Sequence, residues 1–316
     1  MSQSVFERHP KAALAAFFAA FLLLFAVAAE IALKSLTGMG RPVLFYEHPA
    51  FGYRLKPNQE TWRFGGAHFK INNLGLRASE DWDGEPRGKI LFVGDSVTYG
   101  GNHISNEQLF SELAVKGLAG LKSGNAGIPN WGVENVYGLV VEEKFAPAAT
   151  VVTTFIEDDF YRGLTSGRNK PWIKYHQPAL ALTELADFVW HRYFTDTQKQ
   201  NRLEREGQPE AVRVETAAKK LKAMDEFLKR EGRANIIFIS PTRQQVLGIK
   251  PRDAAVRAAI EKHGIPAVYL LDKPRIATAS AEEKKSWYQD NDHLTPAGHA
   301  VWGELMREEL NRVVRK

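Results

Sequence analysis

The sequence predicts an α/β protein: a three-layer α/β/α domain with a mostly parallel five-stranded sheet, preceded by an N-terminal transmembrane helix. Three observations predict it. Short apolar runs that read as buried strands alternate with helix-periodic stretches, the pattern of a parallel sheet covered on both faces. The chain has 316 residues, 44% hydrophobic and 25% charged, enough for one large α/β domain with a sizeable core. One uninterrupted apolar run, residues 12–29, is close to the length that crosses a bilayer.

That run lies within "KAALAAFFAAFLLLFAVAAEIAL", with Arg8 and Lys11 before it and Glu30 as its single internal acid. The positive flank predicts the N-terminus in the cytoplasm and the body outside the cytoplasmic membrane, on the periplasmic or extracytoplasmic side. A cleaved signal peptide is the alternative, with Ala26-Val27-Ala28 as the cleavage triplet. The run is long for a signal peptide and helical character continues through Lys34, so residues 1–35 read as a cytoplasmic stub and anchor. Either way, the rest of the chain is exported.

Residues 36–88 are rich in aromatics, Gly, Pro and Asn and read as an irregular lead-in of short strands and turns. The main domain occupies 89–316. Its strands are expected at 89–94, 124–126, 150–156, 234–240 and 267–271, and its helices at 106–118, 133–145, 210–231, 253–263 and 296–314. Ser105 with Gln108 three residues later makes a capping box, and Thr295 followed by Pro296 marks the last helix start. An insertion, 161–208, separates the third strand from its helix, a length that is usually functional or mobile. Within it, "PALALTELADFVWHRYF" (178–194) has near-helical apolar spacing: a helix packed on the domain, or a lid beside the mouth of the Ser96 pocket, able to rest on the membrane or clamp a glycan chain.

Composition excludes several functions. Lys+Arg 42 against Asp+Glu 37 leaves +5, too small and diffuse for a nucleic-acid surface, and no zinc-finger spacing appears. The absence of Cys excludes disulfides, a thiol nucleophile and thiolate metal sites. No phosphate-binding glycine loop is present, so no cofactor is expected.

Chemistry concentrates at two places. "ILFVGDSVTYG" (90–100) is a buried-strand run that stops at Gly-Asp-Ser, placing Ser96 at the carboxyl end of a central strand, where open α/β sheets bind ligands. "YQDNDHLTPAGH" carries Asp290 and His293 at D-x-x-H spacing just before the last helix. A loop His there can take the hydroxyl proton of Ser96, while the acid three residues earlier holds the other ring nitrogen. Asp292 is adjacent and competes for that role, with Asp290 better spaced.

With these blocks in view, the chain resembles the SGNH (GDSL-type) hydrolases and acyltransferases from residue 89 to the C-terminus. The resemblance rests on "FVGDSVTYG", "NAGIPNWG", "TTFIEDDF" and "DNDHLTPAGH", in the family's order, and "KINNLGLRASE" is similar to the lead-in of membrane-anchored members from envelope-polysaccharide gene clusters. It implies a flavodoxin-like sheet order, Ser96 as nucleophile, His293 as base and Asp290 as its orienting acid. It also implies an oxyanion site from the amides of Ser96 and Gly127. The implied activity is hydrolysis or O-acyl transfer on acyl, principally acetyl, esters of an exported polysaccharide. Partners would be an acylated carbohydrate, the membrane and polysaccharide-biosynthesis proteins. The alternative is a silent scaffold subunit of a polysaccharide assembly.

One block departs from the family pattern. Where G-x-N-D is usual, this chain has "IEDD", with Asp158 in the place of a neutral oxyanion donor; an ionised carboxylate would repel the developing charge. Three readings stay open: another donor such as Asn130 or Asn125, a protonated Asp158, or an inactive site. The acids Glu157, Asp158 and Asp159 do not read as a metal cluster, because neighbouring strand residues point to opposite faces. His103 reads as a solvated loop residue, and Trp131 as packing against the sheet rather than stacking on a sugar.

Overall fold

The computed structural model describes residues 8–168, 170, 172–194 and 207–314. In chain order the elements begin with α1 (Pro10–Thr37), β1 (Phe45–His48), β2 (Gly52–Leu55), β3 (Gln59–Arg63), β4 (Ala67–Ile71), β5 (Lys89–Gly94) and α2 (Ser96–Tyr99). They continue with α3 (Phe110–Val115), β6 (Lys122–Asn125), α4 (Val133–Tyr137), β7 (Thr150–Phe155), α5 (Ala181–Phe194), α6 (Glu210–Arg230) and β8 (Ala234–Ile239). The last are α7 (Arg243–Val246), α8 (Ala254–Lys262), β9 (Ala267–Tyr269), α9 (Pro274–Thr278), α10 (Ala281–Ser286) and α11 (Pro296–Val314).

The five strands β5 to β9 form one all-parallel sheet in the order β6-β5-β7-β8-β9. Counted along the chain this is 2-1-3-4-5, the flavodoxin-like order, whose topological switch lies between β5 and β7. All six residues of β5 and all six of β7 are buried, which is why both read as continuous apolar runs. Alternation then builds two cores. Leu91 and Val93 join Val151, Ile237 and Ile239 beneath α6 and α8, through Val214, Leu221, Met224 and Ile260. Ile90 and Phe92 join Val152 and Phe238 on the opposite face, against Phe110 of α3 and Trp302, Leu305 and Leu310 of α11. Helix, sheet and helix make the three layers.

The lead-in is more ordered than its composition suggests. It forms two antiparallel hairpins, β1–β2 and β3–β4, whose buried Phe45, Tyr53, Leu55 and Phe69 extend the core. Arg77 ties this layer to the edge strand: its backbone exchanges hydrogen bonds with Asn125 at 2.8 and 3.0 Å, so the edge of β6 is covered.

Two helices differ from the expected spans. The run 106–118 is a 3₁₀ turn, Asn106–Gln108, then α3; Leu109 is extended because Phe110 N donates to buried His299 Nδ1 at 3.1 Å. The run 133–145 widens after α4 into a π-turn, Gly138–Glu142, where the Gly138 backbone presses on Ala50 O of the lead-in and leaves no room for a Cβ. Part of the insertion, residues 169, 171 and 195–206, lies outside the described residues, as do residues 1–7 of the stub.

Candidate active site

Ser96 sits where β5 ends at the switch point. Asp95 caps the short helix that follows, its Oδ1 accepting from Val97 N at 2.9 Å, and this turns the Ser96 hydroxyl out of the sheet. The loop 289–294 approaches from the other side. There Asp290 Oδ1 accepts from the amides of Asp292 and His293, each at 2.8 Å, and Asp290 Oδ2 lies 2.7 Å from His293 Nδ1. His293 Nε2 is 2.9 Å from Ser96 Oγ. A carboxylate only accepts, so Nδ1 carries the ring proton and Nε2 is free to accept from the serine hydroxyl.

D-x-x-H spacing now has a physical reason. One oxygen of Asp290 fixes the backbone of His293 while the other fixes its ring. Partial burial pushes the Asp290 pKa up, but the His293 amide and ring and the Asp292 amide outweigh it and hold the carboxyl below its usual range. Asp292 does not reach the ring; its Oδ1 accepts from Asn291 Nδ2 at 2.8 Å, and burial pushes its pKa up. Asp290, not Asp292, is the partner of His293.

The oxyanion candidates fare differently. Gly127 packs so tightly on α2 that a Cβ would stand 2.4 Å from Tyr99 N, yet its own N–H is given to Asn125 Oδ1 at 2.8 Å. The Gly127 amide, expected to face the oxyanion, is engaged within its own loop in this structure. Asn125 is engaged too, donating to Thr98 O at 2.6 Å and Ser111 Oγ at 3.2 Å. Asn130 remains. It occupies the third position of a turn closed by Trp131 N to Ile128 O, with φ 64°, following Pro129. Neither the Ser96 nor the Asn130 amide has an acceptor among the described residues.

Asp158 is engaged as well. Its Oδ2 accepts from Arg162 Nε at 3.1 Å and Nη2 at 2.9 Å, so its carboxyl is turned to an ion pair with that guanidinium. The same guanidinium reaches Asp159 Oδ1 at 2.5 Å, Asp95 Oδ2 at 3.7 Å and the Trp131 carbonyl at 3.0 Å. Burial pushes both Asp95 and Asp159 upward in pKa, Asp159 strongly, while their charges keep Arg162 protonated against its own burial. Arg162 thus joins the nucleophile's cap, the end of β7 and the 127–132 loop. The sequence reading missed it, although a cation three and four residues after Asp159 and Asp158 was the available signal. Glu157 accepts from Gln245 Nε2 and Asp253 N.

Arg77 is the second missed residue. Fully buried, it donates to Tyr99 O, Ile104 O and Asn106 Oδ1, pinning the loop that follows the nucleophile, and desolvation lowers its pKa to about 10. Trp131 is buried against Phe51 and Tyr53, as a packing residue would be. His103 departs from expectation: it is half-buried with Nε2 unpartnered among the described residues, and desolvation lowers its pKa.

No family model and no curated protein matches the chain. Among solved structures it is similar to a G-D-S-L family lipolytic protein from Veillonella parvula, at 13% identity, covering 71% of this chain and 98% of that one, TM-score 0.40. It is also similar to an acetylxylan esterase from Geobacillus stearothermophilus, at 15% identity, covering 72% and 95%, TM-score 0.41. A lipase/acylhydrolase from Enterococcus faecalis matches at 17% identity, covering 70% and 94%, TM-score 0.41. At that distance the fold class rests on the strand order, and any function on the site's own geometry.

Proposed function

We propose that this chain is a serine ester hydrolase or O-acyltransferase, held in the cytoplasmic membrane by α1, that acts outside it on acyl esters of an envelope or exported polysaccharide. The observation that carries the reading is the relay Asp290–His293–Ser96, with contacts of 2.7 and 2.9 Å. Ser96 Oγ attacks the acyl carbonyl as its proton passes to His293 Nε2. The resulting imidazolium is stabilised by Asp290 and returns the proton to the departing alcohol. The Ser96 amide and the Asn130 turn supply oxyanion donors. Water then releases the acyl group in a hydrolase, and a sugar hydroxyl takes it in a transferase.

Two features support a large substrate and a membrane setting. The side chains of His293 and Asp290 are 38% and 56% exposed, so the reacting centre is open to a polymer. Helix α1 is long and apolar enough to cross a membrane and runs from Pro10 to Thr37, as the anchor in this reading requires.

The test is turnover of a chromogenic acetyl ester by the full chain in detergent beside Ser96→Ala. Hydrolysis should vanish in the variant with its thermal melt unchanged, and a serine-directed phosphonate should label only the wild type. A folded wild type without hydrolysis or labelling would favour the silent scaffold instead.

A further inference from the structure

Helix α5 is built the wrong way round for a helix on the surface of a water-soluble domain. Such a helix turns its apolar stripe inward and its charges outward. In α5 the buried residues are Ala181 and Glu184. Glu184 pairs with buried Arg63 and accepts from Gly40 N at 2.6 Å, and Asp187 accepts from Lys174 Nζ at 2.6 Å. The outward arc carries Trp190, Tyr193 and Phe194 with Val189 beside them, while Leu182 and Leu185 are half-buried at its edge. Trp190, Tyr193 and Phe194 are 60%, 74% and 69% exposed.

Its position explains the inversion. The apolar run 12–29 spans about 27 Å as a helix, close to the hydrocarbon thickness. Glu30 is the next residue, and its carboxylate accepts from Ala181 N at 2.8 Å and Leu182 N at 2.9 Å. Helix α5 therefore starts at the level where α1 leaves the hydrocarbon. The tryptophans agree. Of seven, Trp82, Trp131, Trp287 and Trp302 are buried. The three exposed ones lie toward this end: Trp62, whose backbone adjoins Gly38 just past α1 and whose ring stacks on His68, Trp172 lining the cavity beneath α5, and Trp190 on α5. Exposed aromatics gathered toward the end of a protein that meets the membrane are what a bilayer interface selects.

We propose that α5 is a membrane-interface helix: it lies along the outer face of the bilayer that α1 crosses, with its aromatic arc in the headgroup region and Glu184 turned to the protein. The proposal rests on α1 being a retained anchor. It also replaces the lid over Ser96. The cavity of about 310 Å³ beneath α5 is lined by Met39, Arg63, Trp172 and Phe188, with Tyr99 and Asn102 at its inner end, and neither Ser96 nor His293 borders it.

The chain has no Cys, so single labels report single sites. Tyr193→Cys, Trp190→Cys, Leu22→Cys in α1 and Lys285→Cys in α10 would each carry an environment-sensitive fluorophore, in full-length protein reconstituted into phosphatidylcholine–phosphatidylglycerol vesicles. All four side chains are exposed, so no core contact is removed. Labels at 190 and 193 should shift to the blue, lose emission to shallow spin-labelled lipid and resist iodide. The label at 285 should do the reverse, and that at 22 should respond to deep spin-labelled lipid. Iodide quenching at 190 and 193 with lipid quenching at 22 overturns the proposal while keeping the anchor. Protection from iodide without lipid quenching means a protein covers the face and also overturns it. Loss of lipid quenching at 22 removes the anchor and the proposal together.

Discussion

Two groups of carboxylates flank Ser96 and solve opposite problems. Asp290 is 56% exposed and is held ionised by hydrogen-bond donors from its own loop and by His293. Asp95 and Asp159 are fully buried, their pKa values pushed up, with Arg162 as the shared cation beside them. The first group is local: four consecutive residues build it. The second joins three distant pieces of chain and depends on one guanidinium. An acid held at the surface beside His293 costs little stability, whereas a buried acid pair acts on the fold that presents the serine.

The sharpest break in that comparison is Asp290→Asn. It removes the negative charge facing Nδ1 and permits the wrong ring tautomer, so ester turnover should fall by about three to four orders of magnitude. The melting temperature should barely move. A large loss of stability instead would mean the acid is structural.

Arg162→Met should do the converse. It leaves buried Asp95 and Asp159 without a cation, and breaking a buried pair from one side costs about 3–5 kcal/mol. Urea denaturation should report that loss; a variant as stable as wild type would show that Asp95 and Asp159 do not depend on the guanidinium.

Asp159→Asn separates the two groups by pH. A raised native pKa means the folded state binds the proton more tightly than the unfolded chain. Stability from this group is therefore present at low pH and declines as pH rises from the unfolded carboxylate value, about 4, through the raised one. Asp290, with its lowered pKa, has the opposite sign: its contribution is present above about 4 and lost as pH falls through the native value. Thermal melts across this range should show a shallower decline with rising pH in Asp159→Asn than in wild type, the remainder coming from Asp95, whose pKa is also raised. An identical slope in both would remove Asp159 as its source.

The smallest effects belong to the oxyanion site. Asp158→Asn weakens a half-exposed pair worth under about 1 kcal/mol and should leave the shape of the pH–rate profile unchanged. A gain in rate or a broader alkaline limb would return Asp158 to the reaction. As the paired control, Asn130→Gly keeps the positive φ and the backbone N–H, so turnover should stay near wild type; a loss of about a hundredfold would assign the donor to the side chain.

Much of this was readable before any coordinates. Uninterrupted burial of β5 and β7 shows as apolar runs, because a central parallel strand has no solvent face. The relay Asp290–His293 was legible because both residues belong to one turn, where spacing is geometry. Its arrival at Ser96 was inferred from the loop's place just before the last helix, at the carboxyl edge of the sheet, and from the family resemblance. Arg77 and Arg162 were illegible, since their partners lie far away in the chain and nothing nearby distinguishes a buried arginine from a solvated one. The engagement of Gly127 by Asn125 was invisible for a related reason: a two-residue hydrogen bond depends on a side-chain rotamer that sequence does not specify.

Helix α5 shows the limit most clearly. Its periodicity announced an amphipathic helix, but periodicity marks which residues share a face and is silent on where that face points. Only the packing of Glu184 on Arg63, and of the α5 amides on Glu30, turned the apolar arc outward. Local rules, which act over one turn or one strand, determined the elements and the catalytic loop. Charge pairing and packing between segments far apart in the chain, which no local rule encodes, decided what surrounds the serine and where the apolar arc of α5 points.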